Sequence, residues 1–352
     1  MTSAPPFSAR RDRLEPAFPV IVDFHAHWIP PALAAALRKR RGTPRIEAAR
    51  DGERLVTYLG TRPFGPELGD LAARRDLASR CGITLQVLSL AGLFGVDCLP
   101  AEESVPLVAA FNDAAAWATR AYPGCFAGIA ALPLSDLPLA CSELERAHAI
   151  GLRGAILPAD GFATQAAADR YLPLLETGNR LHSHFFIHPG PVEPQPELNM
   201  RKAGDDNAWQ RHIVLETQAR LSEVVTTLEF TGFLEPFPNV TVQVANLGGT
   251  IPFLVERMDA VAESGAAGEP LPSARLRRCY VDTASFGPRA IEAAVACFGA
   301  RRVLLGTDCP MFDAEKMIKA VAEARLDDAT RELLLSGNAQ RLVSPPQRYR
   351  PP

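Results

Sequence analysis

Two histidines at i, i+2, His25 and His27, close a short apolar stretch, Pro19-Val20-Ile21-Val22-Asp23-Phe24. β-branched runs of this length form buried strands. Alternate side chains of a strand share a face, so both imidazoles can reach one ion. A His-x-His pair at a strand end needs further donors to complete a metal site, and the later chain offers two. Phe185-Phe186-Ile187 runs into His188, and Leu304-Leu305-Gly306-Thr307 runs into Asp308. Three imidazoles and one carboxylate suit a borderline ion such as zinc and leave room for water or substrate. Each residue alone also fits a structural role, as a strand-end aspartate that caps a helix does. Their shared place at strand ends is what singles them out.

The elements that must position these groups recur along the chain. Strand patterns fall at 19–24, Ile83–Leu90, Phe126–Leu132, Gly154–Leu157, His184–His188, Val240–Ala245, Cys279–Asp282 and Arg302–Leu305, each followed by a helical pattern. The connections are too long for antiparallel hairpins. Strands alternating with helices argue for a parallel sheet, and this number of units for a closed (β/α)8 TIM barrel, an α/β fold. No Gly-x-Gly-x-x-Gly follows the first strand, which disfavours an open dinucleotide-binding sheet. In such a barrel the active site lies where strands end and loops begin. The fourth strand carries no lysine to bridge two metals, so a single ion is expected. Residues 42–69, rich in Gly, Pro and charge, read as a small insertion after the first strand, with one strand-like piece at Arg54–Leu59. The barrel is expected over 19–343, after a loose leader at 1–18 and before a Pro/Arg-rich tail at 344–352.

Composition narrows the function. The 352 residues are 47% hydrophobic and 22% charged with a formal net charge of −3, which makes no electrostatic case for nucleic acid or an anionic membrane. No apolar run approaches the roughly 20 residues of a membrane span. The leader carries Arg10, Arg11 and Arg13 without an apolar core and does not read as a signal peptide. Seven scattered cysteines without Cys-x-x-Cys spacing fit reduced thiols in a cytoplasm better than a disulfide framework.

Further residues near strand ends are candidates for chemistry. Asp282 ends the seventh strand, placed to bond a ligand imidazole or the substrate. His212, in the loop after the fifth strand, is a candidate base, whereas His184 sits deeper in its strand and reads as barrel core. Trp28, Phe94 and Trp209 are candidates to wall an aromatic pocket.

The chain resembles the amidohydrolase superfamily, in the "amidohydrolase 2" branch of 2-amino-3-carboxymuconate-6-semialdehyde decarboxylase. The resemblance runs from Val22 to Leu342 and is carried by Val22-Asp23-Phe24-His25-Ala26-His27, Gly82-Ile83-Thr84-Leu85-Gln86-Val87-Leu88-Ser89, Phe186-Ile187-His188-Pro189, Leu247-Gly248-Gly249 and Leu305-Gly306-Thr307-Asp308. It implies one divalent ion, zinc or sometimes manganese, with His25, His27, His188 and Asp308 as ligands. It also implies a small-molecule substrate and a homodimer. Arg257 resembles a family arginine that reaches a neighbouring subunit's site and holds a substrate carboxylate.

Three departures bear on the chemistry. The family's proton-moving histidine after the sixth strand is replaced by Asn246, whose amide hydrogen-bonds but takes up no proton near neutrality. Asn246 could still orient a carbonyl or carboxylate. The arginine expected in the insertion is absent, with Val56 falling there, and the tryptophan after His-Pro is replaced by Gly190. These losses argue against the muconate semialdehyde itself. The reading taken is a decarboxylase-like lyase acting on a small aromatic or unsaturated carboxylic acid. The alternatives are a cyclodehydratase that uses the metal as a Lewis acid, a hydrolase of an amide, ester or lactone, and an inactive binding scaffold.

Overall fold

Eight parallel strands form the frame: β1 (Val22–His27), β2 (Leu85–Ser89), β3 (Phe126–Gly128), β4 (Gly154–Pro158), β5 (His184–His188), β6 (Thr241–Val244), β7 (Cys279–Asp282) and β8 (Val303–Leu304). They are those of a computed structural model, which describes residues 20–197, 207–265 and 270–343. β1 to β3 hydrogen-bond in chain order as one sheet and β4 to β8 as another, and the two sheets join at both edges. At one seam Ala130 donates to Gly154 O at 2.7 Å and accepts from Ile156 at 2.9 Å. At the other, the Phe24 N–H donates to Leu305 O at 2.8 Å, Asp308 N–H to His25 O at 2.7 Å, and His27 N–H to Cys309 O at 2.8 Å. The ring is thereby closed as the barrel the alternation predicts.

Register decides which residues share a level. His27 pairs with Ser89, and Pro158 with His188, so the ends of β1, β2, β4 and β5 lie together at one mouth. Apolar faces of the surrounding helices cover the outside of the strands. The helix Leu137–Ala149 buries Ala140, Leu144 and Ala147, and Asp136 caps its start by accepting from the Leu139 N–H. Below the mouth, sealed polar groups lie beside the rings of Phe24 and Phe186, and the polar groups must pair with one another. The Gln86 Nε2 donates to Asp23 at 2.8 Å, Gln243 Nε2 donates to Asp282 at 2.6 Å, and His184 contacts both Thr241 and Gln243. His184 is the core residue its strand position predicts.

Two expectations are corrected. The insertion holds an antiparallel sheet, Arg45–Ala49, Gly52–Thr57 and Gly60–Pro63, where the sequence suggests a single strand-like piece. Its turns pass through Gly52 and Gly60 at φ +124° and +117°, a region only glycine enters without strain. Charges at Arg45, Glu47 and Arg62 hide the flanking strands from a reading based on hydrophobic alternation. His212, expected in a loop, lies in a wide helical turn, Arg211–Glu216, because the helix over the mouth begins at Ala208 and runs on to Phe230. The leader at 1–18 and the tail at 344–352 lie outside the described residues. Among the described residues no helix is long and apolar enough to cross a membrane.

Candidate metal centre

At the mouth, the ends of β1 and β5 and the loop after β8 bring four side chains together. One donor atom from each of His25, His27, His188 and Asp308 lies within 4.8 Å of the others, and all four residues are buried. Nε2 of His27 is 3.2 Å from Nε2 of His25, 3.1 Å from Nε2 of His188 and 3.1 Å from Oδ1 of Asp308.

Hydrogen bonding on the far side of each ring shows what this cluster lacks. Nδ1 of His25 faces Asp282 Oδ1 at 3.1 Å, Nδ1 of His27 faces Ser89 Oγ at 3.0 Å, and Nδ1 of His188 faces Pro189 O at 2.8 Å. Ser89 gives its own proton to Ala26 O at 3.1 Å, so its oxygen accepts from His27. Each ring therefore carries a proton on Nδ1, and three Nε2 lone pairs face one another. Asp308 Oδ1 joins them buried and without a hydrogen-bond donor. Lone pairs packed this closely repel unless a proton or a cation lies among them. Burial holds His27 and His188 far below the ordinary imidazole value, and the neighbouring imidazoles add to the effect. Burial also disfavours charge on His25, but Asp282 and Asp308 outweigh it and lift that ring to about 9. The donor set fits a single divalent ion, with histidine tautomers already fixed by their outer partners.

The strand ends are built to let these groups meet. Gly306 passes so close to β1 that a Cβ there would stand 2.7 Å from His25 Cβ and 2.9 Å from Asp282 Cβ. Asp308 sits at φ +55°, a left-handed conformation that aspartate tolerates better than most residues.

Above the cluster opens a cavity of about 430 Å³, with His27, His188 and Asp308 in its floor. Leu59, Leu93, Phe94, Trp209, Ile213 and Met311 make much of its wall, and among the described lining residues Arg62 is the only cation. Arg62 was not singled out in the sequence. Its strand pairs Leu55 with Arg62 and Val56 with Thr61, so the guanidinium enters one strand over from the position where an arginine was sought. The turn at Leu59-Gly60, read as a hairpin, would have placed it.

The other candidates scatter. Asp282 bonds His25, as its strand-end position suggests, and also accepts from the backbone N–H groups of Asn246 and Ala284. Asn246 is buried at φ +55° with its side-chain amide 3.4 Å from Ser285 Oγ, and it is not among the residues that line the cavity. His212 bonds Glu216 at 2.7 Å, while its neighbours Trp209 and Ile213 face the cavity. Trp28 does not wall a pocket. It is buried against Phe111 and donates to Gly69 O at 3.4 Å, because the residue after His27 on an alternating strand faces the outer layer. Arg257 is exposed on the helix Ile251–Glu263, outside this chain's cavity.

The chain belongs to the amidohydrolase family Amidohydro_2, which it matches over residues 22–344. It is 25% identical over 272 residues to the 2-amino-3-carboxymuconate-6-semialdehyde decarboxylase of Dictyostelium discoideum, covering 74% of this chain and 73% of that one. Its fold is shared with 5-carboxyvanillate decarboxylase from Sphingomonas paucimobilis, at TM-score 0.71 and 21% identity over 92% of this chain and 98% of the other. It is shared equally with a dihydroxybenzoic acid decarboxylase from Polaromonas sp. JS666, solved with manganese and 2-nitroresorcinol, at TM-score 0.70 and 21% identity over 92% and 96%.

Proposed function

We propose that this protein is a metal-dependent decarboxylase of small aromatic carboxylic acids. The observation that carries the reading is the floor of three imidazoles and one carboxylate beneath an apolar cavity whose only described cation is Arg62. The decarboxylase names of its relatives support the same reaction class. In the reaction the bond between ring and carboxylate breaks, its electron pair stays on the ring carbon, a proton takes its place and carbon dioxide leaves. A bound divalent ion supplies Lewis acidity toward a substrate oxygen. Arg62 holds an anionic oxygen at the wall by a charge-assisted hydrogen bond. The apolar wall strips water from the bound acid, so the charges inside act in a low dielectric.

Hydrolysis and cyclodehydration draw less support. The Asn246 amide takes up no proton near neutrality, it donates to Ser285 Oγ, and Asn246 is not among the residues that line the cavity. We take the ion as zinc on the softness of three imidazoles, with manganese as the alternative carried by the Polaromonas neighbour. We place the protein in a reducing compartment such as the cytoplasm, since all seven cysteines are free. We also read it as a homodimer joined through the helix Ile251–Glu263, where Phe253 is 87% exposed beside Arg257.

The reading is tested with protein loaded with zinc or manganese and offered dihydroxybenzoic and carboxyvanillic acids. Metal-dependent release of carbon dioxide with one equivalent of decarboxylated product is expected. Turnover of esters or amides by water, with every acid left intact, would overturn it.

A further inference from the structure

Arg74 lies on the helix Leu71–Arg80, is 0% exposed, and forms no ion pair among the described residues. Its guanidinium is spent on two main-chain carbonyls. Nη1 donates to Cys309 O at 2.9 Å and Nη2 donates to His27 O. One of these carbonyls belongs to a candidate metal donor, and the other follows the candidate donor Asp308 directly. Cys309 O also accepts from the His27 N–H at 2.8 Å, so the arginine closes a loop of hydrogen bonds that ties the end of β1 to the segment after β8.

That tie falls where the backbone needs support. Asp308 is left-handed at φ +55°, with its N–H donating to His25 O and its own carbonyl accepting from the Met311 and Phe312 N–H groups. The Arg74 fork adds a side-chain bond at the next carbonyl, Cys309 O, where the only backbone bond among the described residues is the one from His27. A cation is an expensive choice for a sealed position that needs only packing, since removing it from water is costly. A planar fork with two donors in fixed geometry is what bridging two carbonyls demands.

We infer that Arg74 is a positioning residue of the metal centre, whose fork fixes the spacing between His27 and Asp308. The inference rests on reading those residues as metal donors. The test uses full-length protein stripped of metal, Arg74→Lys and Arg74→Met, with zinc affinity measured by competition against a chromophoric chelator and folding followed by circular dichroism. A lysine keeps the charge but offers one donor centre. Arg74→Lys should fold and bind zinc 10–100-fold more weakly than wild type, the range typical of lost support behind a metal ligand, and Arg74→Met should lose at least as much. A merely structural role would lower the melting temperature and leave the affinity of the folded protein unchanged. Wild-type affinity in a folded Arg74→Lys overturns the inference alone. Failure of Arg74→Lys to fold with or without zinc assigns Arg74 to the fold and also overturns it. Absence of zinc binding by the wild type overturns the metal reading and this inference with it.

Discussion

Oδ1 of Asp282 stands 3.1 Å from Nδ1 of His25, with both side chains sealed from solvent, while the other carboxylate oxygen accepts from Gln243 at 2.6 Å. The contact fixes the His25 tautomer and turns Nε2 toward the other donors. It also makes the ring more electron-rich toward a cation. Asp282→Asn keeps the shape and removes the charge. Zinc affinity should fall by about 10- to 100-fold in a chelator competition, by analogy with other supports of metal-bound histidines. An unchanged affinity would mean that the carboxylate does not act through the ring.

Gly306 leaves no room for a side chain between His25 and Asp282. Gly306→Ala should cost about 1–3 kcal/mol in urea unfolding, as overpacking does, and should lower bound metal below one per chain. Gly42→Ala is the control, since nothing lies within 4 Å of its added Cβ. It should stay within about 0.5 kcal/mol of wild type. Equal behaviour of the two variants would contradict the account of the crowded strand end.

Arg62 faces the same cavity as His27 and Asp308; burial raises the Asp308 carboxyl, and the charge of Arg62 acts against that rise. Arg62→Met should raise KM for an aromatic carboxylate by roughly 10- to 100-fold, the equivalent of one hydrogen bond to a charged group. Metal content should not change. A variant with normal KM would place the acid's anionic oxygens elsewhere.

Asp97 lies beneath the loop that carries Phe94, 4% exposed, with Oδ1 lacking any hydrogen-bond partner. Burial pushes its carboxyl up to about 7, against the pull of its own and the Cys98 backbone amides. The folded form therefore holds a proton that the unfolded chain releases near 4. Stability contributed by this group is present below pH 4, falls as pH rises toward 7, and stays lost above. Asp97→Asn does not titrate. It should be more stable than wild type by about 4 kcal/mol at pH 8, the gap closing as pH approaches 4. Urea unfolding at both pH values checks this, and a gap independent of pH would contradict the assignment.

The candidate donors were legible because each ends a short apolar run, and a closed barrel brings strand ends together whatever their separation in sequence. β5 and β7 begin and end where their runs do. Asp282 was legible for the same reason. Trp28 reads from its neighbourhood as a pocket wall, yet strand alternation, which puts His25 and His27 inside, turns the next residue outward. Arg62 was hidden because its place depends on the pairing of three strands whose exposed faces carry charge. Asn246 is a candidate only by analogy of position. Its left-handed backbone and its contact with Ser285 depend on how the turn after β6 packs, which no local pattern encodes.

The central claim is that His25, His27, His188 and Asp308 hold one divalent ion. Anomalous diffraction from crystals grown with zinc, recorded on both sides of the zinc absorption edge, tests it most directly. A single strong peak should lie about 2.0–2.2 Å from the three Nε2 atoms and from a carboxylate oxygen of Asp308. Zinc bound elsewhere, or a clean map at the mouth of the barrel, would contradict it.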